Sequence, residues 1–118
     1  MIISLKTIYN ELNISFVYIS EAHATDVWPI GRSAGVLNKK HHTIEDRQRC
    51  ANNFIKEYEF TEIPTYLDNM KDELRDTLAA WPFRFYLIKY NKDSNFVFHH
   101  IGMPEDSEFD LTNIGSLL

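Results

Sequence analysis

The sequence predicts an α/β domain whose mixed sheet ends in an antiparallel hairpin. Three observations carry this. Short β-branched and aromatic runs at 14–19, 63–67, 83–90 and 96–100 have strand composition. Between the first three lie stretches with helical apolar spacing. Only the last two runs are separated by a bare polar turn, Asn91-Lys-Asp-Ser-Asn95. Alternation that closes on a hairpin points to α/β rather than to separate layers.

The chain in order justifies each element. Ile2, Leu5, Ile8, Tyr9 and Leu12 give one apolar face, so residues 2–12 are expected to be helical, with Asn13 as the stop. Ile14-Ser-Phe-Val-Tyr-Ile19 reads as a buried strand. Residues 20–42 form a long loop broken by Pro29, Gly31 and Gly35, and loops of that length in small domains tend to carry function. Thr43 fits a helix N-cap, with Glu45 and Asp46 in the first turn. That helix is expected to run to about Phe60 and to bury Ile44, Cys50, Phe54 and Tyr58 or near neighbours. Ile63 to Leu67 is a short strand with Pro64 at its start or edge. Asp68-Asn69 opens a second helix ending near Trp81-Pro82. Phe83–Tyr90 and Phe96–His100 make the hairpin. Gly102, Pro104 and the acids at 105–110 read as a loop, and 111–118 as a terminal helix.

The totals bound the function. At 118 residues the chain holds one domain, 1–118, with one modest core. A net charge of −5, with Lys and Arg scattered, argues against nucleic-acid partners. No apolar run reaches membrane-span length and the N-terminus lacks signal-peptide character, so the default compartment is the cytoplasm. One cysteine, Cys50, excludes an intrachain disulfide or a Cys-x-x-Cys pair, and its mid-helix place suits an inert buried thiol. Glu21, His23 and Asp26 crowd the end of the first strand, where α/β sheets gather ligands. An acid and a histidine two residues apart there suit proton transfer. The histidines and acids show no metal-motif spacing, so no metal is expected.

Tyr18-Ile-Ser-Glu-Ala-His-Ala-Thr-Asp-Val-Trp28 resembles the iodothyronine deiodinase family, whose domain carries Tyr-Ile-x-Glu-Ala-His-x-x-Asp-x-Trp. His41-His-Thr-Ile-Glu-Asp-Arg47 is similar to the family's His-x-x-Leu-Glu-Asp-Arg. Pro64-Thr-Tyr-Leu-Asp-Asn-Met70 and Ala79-Ala-Trp-Pro-Phe-Arg-Phe-Tyr-Leu-Ile88 resemble two later segments, in family order. The resemblance implies a thioredoxin-like fold and reductive removal of iodine from an iodinated phenol-like substrate by a selenocysteine or cysteine. Electrons then come from a thiol reductant, with no bound cofactor.

On this likeness Glu21 and His23 are the catalytic pair and Tyr18, His41 and Trp28 contact substrate. Asp46 and Arg47 are structural, through capping and an ion pair, and Arg84 orients a loop or carboxylate. Two departures stand out. Leu78 replaces a frequent Tyr, and Ile101-Gly-Met-Pro104 lacks the basic residue of the family's Gly-x-Gly-Pro loop. The family places its nucleophile between a first strand and a first helix, and this sequence begins at that helix. The domain is therefore expected to be truncated before its nucleophile, as from a selenocysteine codon read as a stop, and inactive as it stands. Loss of a central strand predicts a homodimer or a strand-borrowing partner. Two other readings fit the same residues: a non-catalytic ligand- or partner-binding module, and a fragment of a peroxiredoxin-like thiol peroxidase.

Overall fold

A computed structural model describes residues 12–30, 38–93 and 95–102 of the chain. The helix expected before Asn13 (Leu12 apart), the middle of the long loop, the acidic loop at 105–110 and the terminal helix at 111–118 lie outside the described residues. Elements follow in the order β1 (Phe16–Tyr18), α1 (Ile44–Glu57), β2 (Thr65–Leu67), α2 (Glu73–Thr77), β3 (Phe85–Tyr90) and β4 (Phe96–Gly102). This is a mixed α/β arrangement. The chain divides after Pro82 into two compact units.

In the first unit β1 and β2 pair in parallel, Phe16 opposite Thr65 and Tyr18 opposite Leu67. The Phe16 amide donates to the Pro64 carbonyl at 2.9 Å and the Asp68 amide to the Tyr18 carbonyl at 2.9 Å. Pro64 thus serves the ladder with its carbonyl, the one backbone group a proline keeps. Parallel neighbours need a crossover, and α1 provides it. Thr43 and Asp46 cap α1 reciprocally: the Thr43 hydroxyl accepts from the Asp46 amide at 3.2 Å, and Asp46 accepts from the Thr43 amide at 3.2 Å. Phe54 lies against Phe16, Tyr18 and Phe60, with ring centroids 5.7–6.0 Å away. These rings, with Ala51 and Ile63, form the core beneath the parallel pair.

The second unit is the hairpin. β3 and β4 pair antiparallel from Phe85–Gly102 to Tyr90–Phe96, with a register shift between Leu87 and Ile88. The Asn91 side-chain oxygen accepts from the amides of Asp93 and Asn95, which closes the turn.

The described strands form two two-stranded ladders, one parallel and one antiparallel, and no described strand is bonded to both. Three expectations change. The buried face of α1 is Arg47, Cys50 and Ala51, whereas Ile44 and Tyr58 are exposed. Both lie in the end turns, beyond the two short strands that the helix covers. The helix expected over 68–81 shrinks to Glu73–Thr77. Here Asp68 and Asn69 engage the following amides with their side chains, and Asp72 and Ala79 take left-handed backbone (φ 57° and 51°) that brackets one short segment. Finally, Gly102 ends β4 and does not open a loop; it sits opposite Phe85, whose ring fills the space a side chain there would need. Among the described residues no helix is long and apolar enough to cross a membrane.

Candidate active site

Beyond the carboxyl end of β1 the chain turns sharply. Ala24, 3% exposed, anchors the turn, and its carbonyl accepts from the amides of Val27 and Trp28 at 3.0 Å. The loop's return is tied alongside: the Thr25 amide donates to the Asn38 carbonyl at 2.9 Å, and the Lys40 amide to Asp26 Oδ1 at 2.7 Å. That bond holds the exposed Asp26 carboxyl below its usual range. Glu21 on one side and Asn38 and His41 on the other are thereby brought face to face.

Glu21 is the centre of the site. Its Oε1 accepts a hydrogen bond from the Tyr18 hydroxyl and another from Asn38 Nδ2 at 3.0 Å. His41 Nε2 stands 3.5 Å from the same oxygen, close enough to pair but long for a hydrogen bond. Burial, then the Glu21 bond and charge, raise the pKa of Tyr18 well above the ordinary phenol range, so it stays protonated.

His41 is 5% exposed. On its far side Arg47 Nε donates to Nδ1 at 3.3 Å. A guanidinium only donates, so Nδ1 offers its lone pair and the imidazole proton sits on Nε2, facing Glu21. Burial pulls the pKa of His41 below 6.5, with Glu21 opposing and Arg47 assisting. It is therefore neutral at pH 7, with Nε2 buried beside Glu21 but short of a hydrogen bond.

Arg47 is itself 2% exposed and fully engaged. It donates to the carbonyls of Asp68 (2.9 Å) and Asn69 (2.6 Å) and pairs with Asp72 Oδ1 at 2.8 Å. Asp72 also pairs with Arg75, whose Nη1 donates to Ser20 Oγ at 2.9 Å. The loop after β1, the start of α1 and the start of α2 are thus one polar network.

Cys50 closes the pocket floor. Its sulfur, Glu21 and His41 bring three ligand-type atoms within 4.8 Å of one another. A metal ion there would compete with the Arg47 contact to His41. Binding at His41 Nε2 requires the proton on Nδ1, directly against the Arg47 Nε–H. Burial, then the Glu21 charge, push the Cys50 thiol up, which leaves it protonated rather than nucleophilic. A cavity of ≈ 370 Å³ opens between residues 38–42 and α1, with His41 and Cys50 on its wall and Lys39, Lys40 and Arg49 adding positive charge.

The remaining predicted residues make no contact with Glu21 that the hydrogen bonds and ion pairs record. The His23 ring packs on Trp28, centroids 4.7 Å apart, and its Nδ1 is buried without a hydrogen-bond partner. Asp46 caps α1 and pairs with Arg49 at 2.7 Å, which lowers its pKa. Arg84 precedes β3 in the hairpin unit, its Nε buried without a hydrogen bond. Sequence reasoning missed Asn38, for which a lone amide in a loop gives no signal. It also missed how much rests on Arg47, although a charge spaced three and four residues from Cys50 and Ala51 marks an arginine facing a core.

Residues 5–98 match the family model for iodothyronine deiodinase. Over 76 residues, 64% of the chain, it is 33% identical to the type I iodothyronine deiodinase of Xenopus laevis. The chain covers 29% of that relative's length. No solved structure matches. The chain belongs to the iodothyronine deiodinase family.

Proposed function

We propose that this chain supplies the proton-delivery side of a reductive deiodination on a thioredoxin-like scaffold. The observation that carries the reading is one carboxylate oxygen, Glu21 Oε1, shared by Tyr18, Asn38 and His41. The scaffold reading is supported by family membership and by the order β1-α1-β2-α2 followed by a hairpin.

The chemistry needs an acid. When a selenolate or thiolate attacks the iodine of an iodinated phenol, iodine passes to the chalcogen without its bonding pair. That pair stays on the ring carbon, which must take a proton. The products are the deiodinated ring and a chalcogen–iodide, and two equivalents of a thiol then reduce the latter to free chalcogen, a disulfide and iodide. A positioned acid contributes about 10²- to 10⁴-fold to such a step. Glu21 takes a proton from solvent and hands it to the ring carbon, while Tyr18, Asn38 and the neutral His41, which keeps its Nε2–H, hold the carboxyl in place. Cys50 is not the attacking atom, because it is buried in mid-helix with its thiol pushed up. The 118 residues alone therefore turn over no substrate.

The test supplies the missing nucleophile. Iodide release from 2,6-diiodophenol is followed with a small soluble selenol and excess dithiothreitol, with and without the protein. The reading predicts at least about tenfold acceleration over the selenol alone, lost in Glu21→Gln. Equal rates with and without protein would overturn it.

A further inference from the structure

The chain has two tryptophans, Trp28 and Trp81, and both lie outside its core, 56% and 41% exposed. They meet all the same. Their ring centroids are 6.3 Å apart and their planes lie within 19° of parallel. Large rings that stay open to water while packing on each other do little for the core; their free faces are stacking surface. The pair comes from two loops of one unit, after β1 and after α2.

The main chain holds the pair ready. Each tryptophan is followed by a proline, Pro29 and Pro82, and the residue before a proline has fewer backbone conformations open to it. Trp28 is fixed further by its amide bond to the buried Ala24. A surface already ordered loses little freedom when a ligand arrives. Beside it, His23 leans on Trp28 at 4.7 Å with the Nδ1 atom buried and unpaired. Such a nitrogen is costly to leave unmatched, and a turn of the His23 ring brings it out to meet a polar ring substituent. Flat apolar faces next to one unsatisfied polar atom are what a hydroxylated aromatic ring requires.

We propose that Trp28 and Trp81 form a stacking platform for the phenolic ring of a halogenated aromatic ligand, with His23 at its polar edge. Trp81 is then a specificity-determining residue that no motif in the sequence marks. The identity of the ring rests on the deiodination reading, whereas the platform rests on the two indoles alone. Polarizable iodine substituents widen the stacked face and strengthen the contact.

Tryptophan emission reports directly on this surface, since the protein has no other indole. The unmodified chain is titrated with 2,6-diiodophenol, against potassium iodide and cyclohexanol as controls. Saturable quenching is expected with the iodophenol and only linear collisional quenching with iodide. Trp81→Leu, which keeps apolar bulk, should weaken the saturable phase about tenfold, and Trp81→Phe should stay within about threefold. Should Trp81→Leu not fold, the wild-type ¹H–¹⁵N spectrum decides: both indole N–H resonances must shift on addition of the iodophenol. Linear quenching, a Trp81→Leu curve that overlays wild type, or fewer than two shifting indole signals would overturn the platform. The titration contains no selenol or reductant, so a failed relay leaves it unaffected. A failed platform in turn leaves the rate comparison with Glu21→Gln interpretable.

Discussion

Arg47 Nε points its hydrogen at His41 Nδ1 from 3.3 Å, and this contact sets which nitrogen of the buried imidazole carries the proton. Everything proposed for Glu21 depends on it. With the proton on Nε2, His41 turns its N–H toward the carboxylate, 3.5 Å away; with the proton on Nδ1 it would face a guanidinium donor-to-donor. Arg47 is in turn held by two carbonyls and Asp72, so the tautomer is dictated by α1 together with the loop between β2 and α2.

Arg47→Ala leaves the Asp72 carboxylate, two carbonyls and His41 Nδ1 without their donor. The expected loss is about 3–5 kcal/mol in urea denaturation. Arg47→Lys keeps the charge but not the planar fork, and a lysine cannot reach carbonyl, carboxylate and imidazole at once. It should recover less than half of the loss. A lysine variant as stable as wild type would show that charge alone matters at this position.

His41 makes stability depend on pH in a calculable direction. Its folded pKa lies below the ordinary 6.5, so below pH 6.5 the unfolded chain binds the extra proton. Stability is therefore fully present above 6.5 and is lost as pH falls toward the folded pKa, with a slope of at most about 1.4 kcal/mol per pH unit. Denaturation midpoints at pH 7.5 and 5.5 in wild type and His41→Asn isolate this term. Asn keeps an acceptor for Arg47 and does not titrate, so the fall between the two pH values should shrink. An unchanged fall would assign it to other histidines.

Asp68, 4% exposed, accepts from the amides of Asn69, Leu74 and Arg75 at 2.9–3.0 Å. Asp68→Ala should cost about 1–3 kcal/mol and loosen α2, with faster amide exchange at Leu74 and Arg75. Slow exchange retained at both amides would mean that the turn holds without its side-chain acceptor.

Cys50 should be slow to react. With its thiol buried and its pKa raised, modification by a neutral disulfide reagent at pH 8 is expected to run at least about tenfold slower than in urea. Equal rates would bring Cys50 back as a nucleophile.

Much of this architecture was legible from the residues. The capping pair Thr43 and Asp46 names its helix start, because Ser/Thr followed three residues later by an acid satisfies two orphan amides. The alternating aromatic runs identify the hairpin, and the Tyr18–Trp28 stretch identifies the family. Residues 68–81 misled, because their apolar spacing is helical while Asp68 and Asn69 compete for the same amides with side chains, a contest that spacing does not reveal. The site itself was half visible. Glu21 and His41 stood out as titratable groups, but their meeting depends on Asn38 and Arg47, which lie close to His41 in sequence and far from Glu21. His23 lies two residues from Glu21 and still packs on Trp28, because the turn anchored at Ala24 breaks the alternation of a strand.

The relay is tested most directly by the protonation of His41. In a long-range ¹H–¹⁵N spectrum at pH 7, His41 should show the neutral Nε2–H pattern and keep it below pH 6.5. In Arg47→Ala the pattern should turn to mixed tautomers. A wild-type His41 that carries its proton on Nδ1, or that is already an imidazolium at pH 7, would contradict the account.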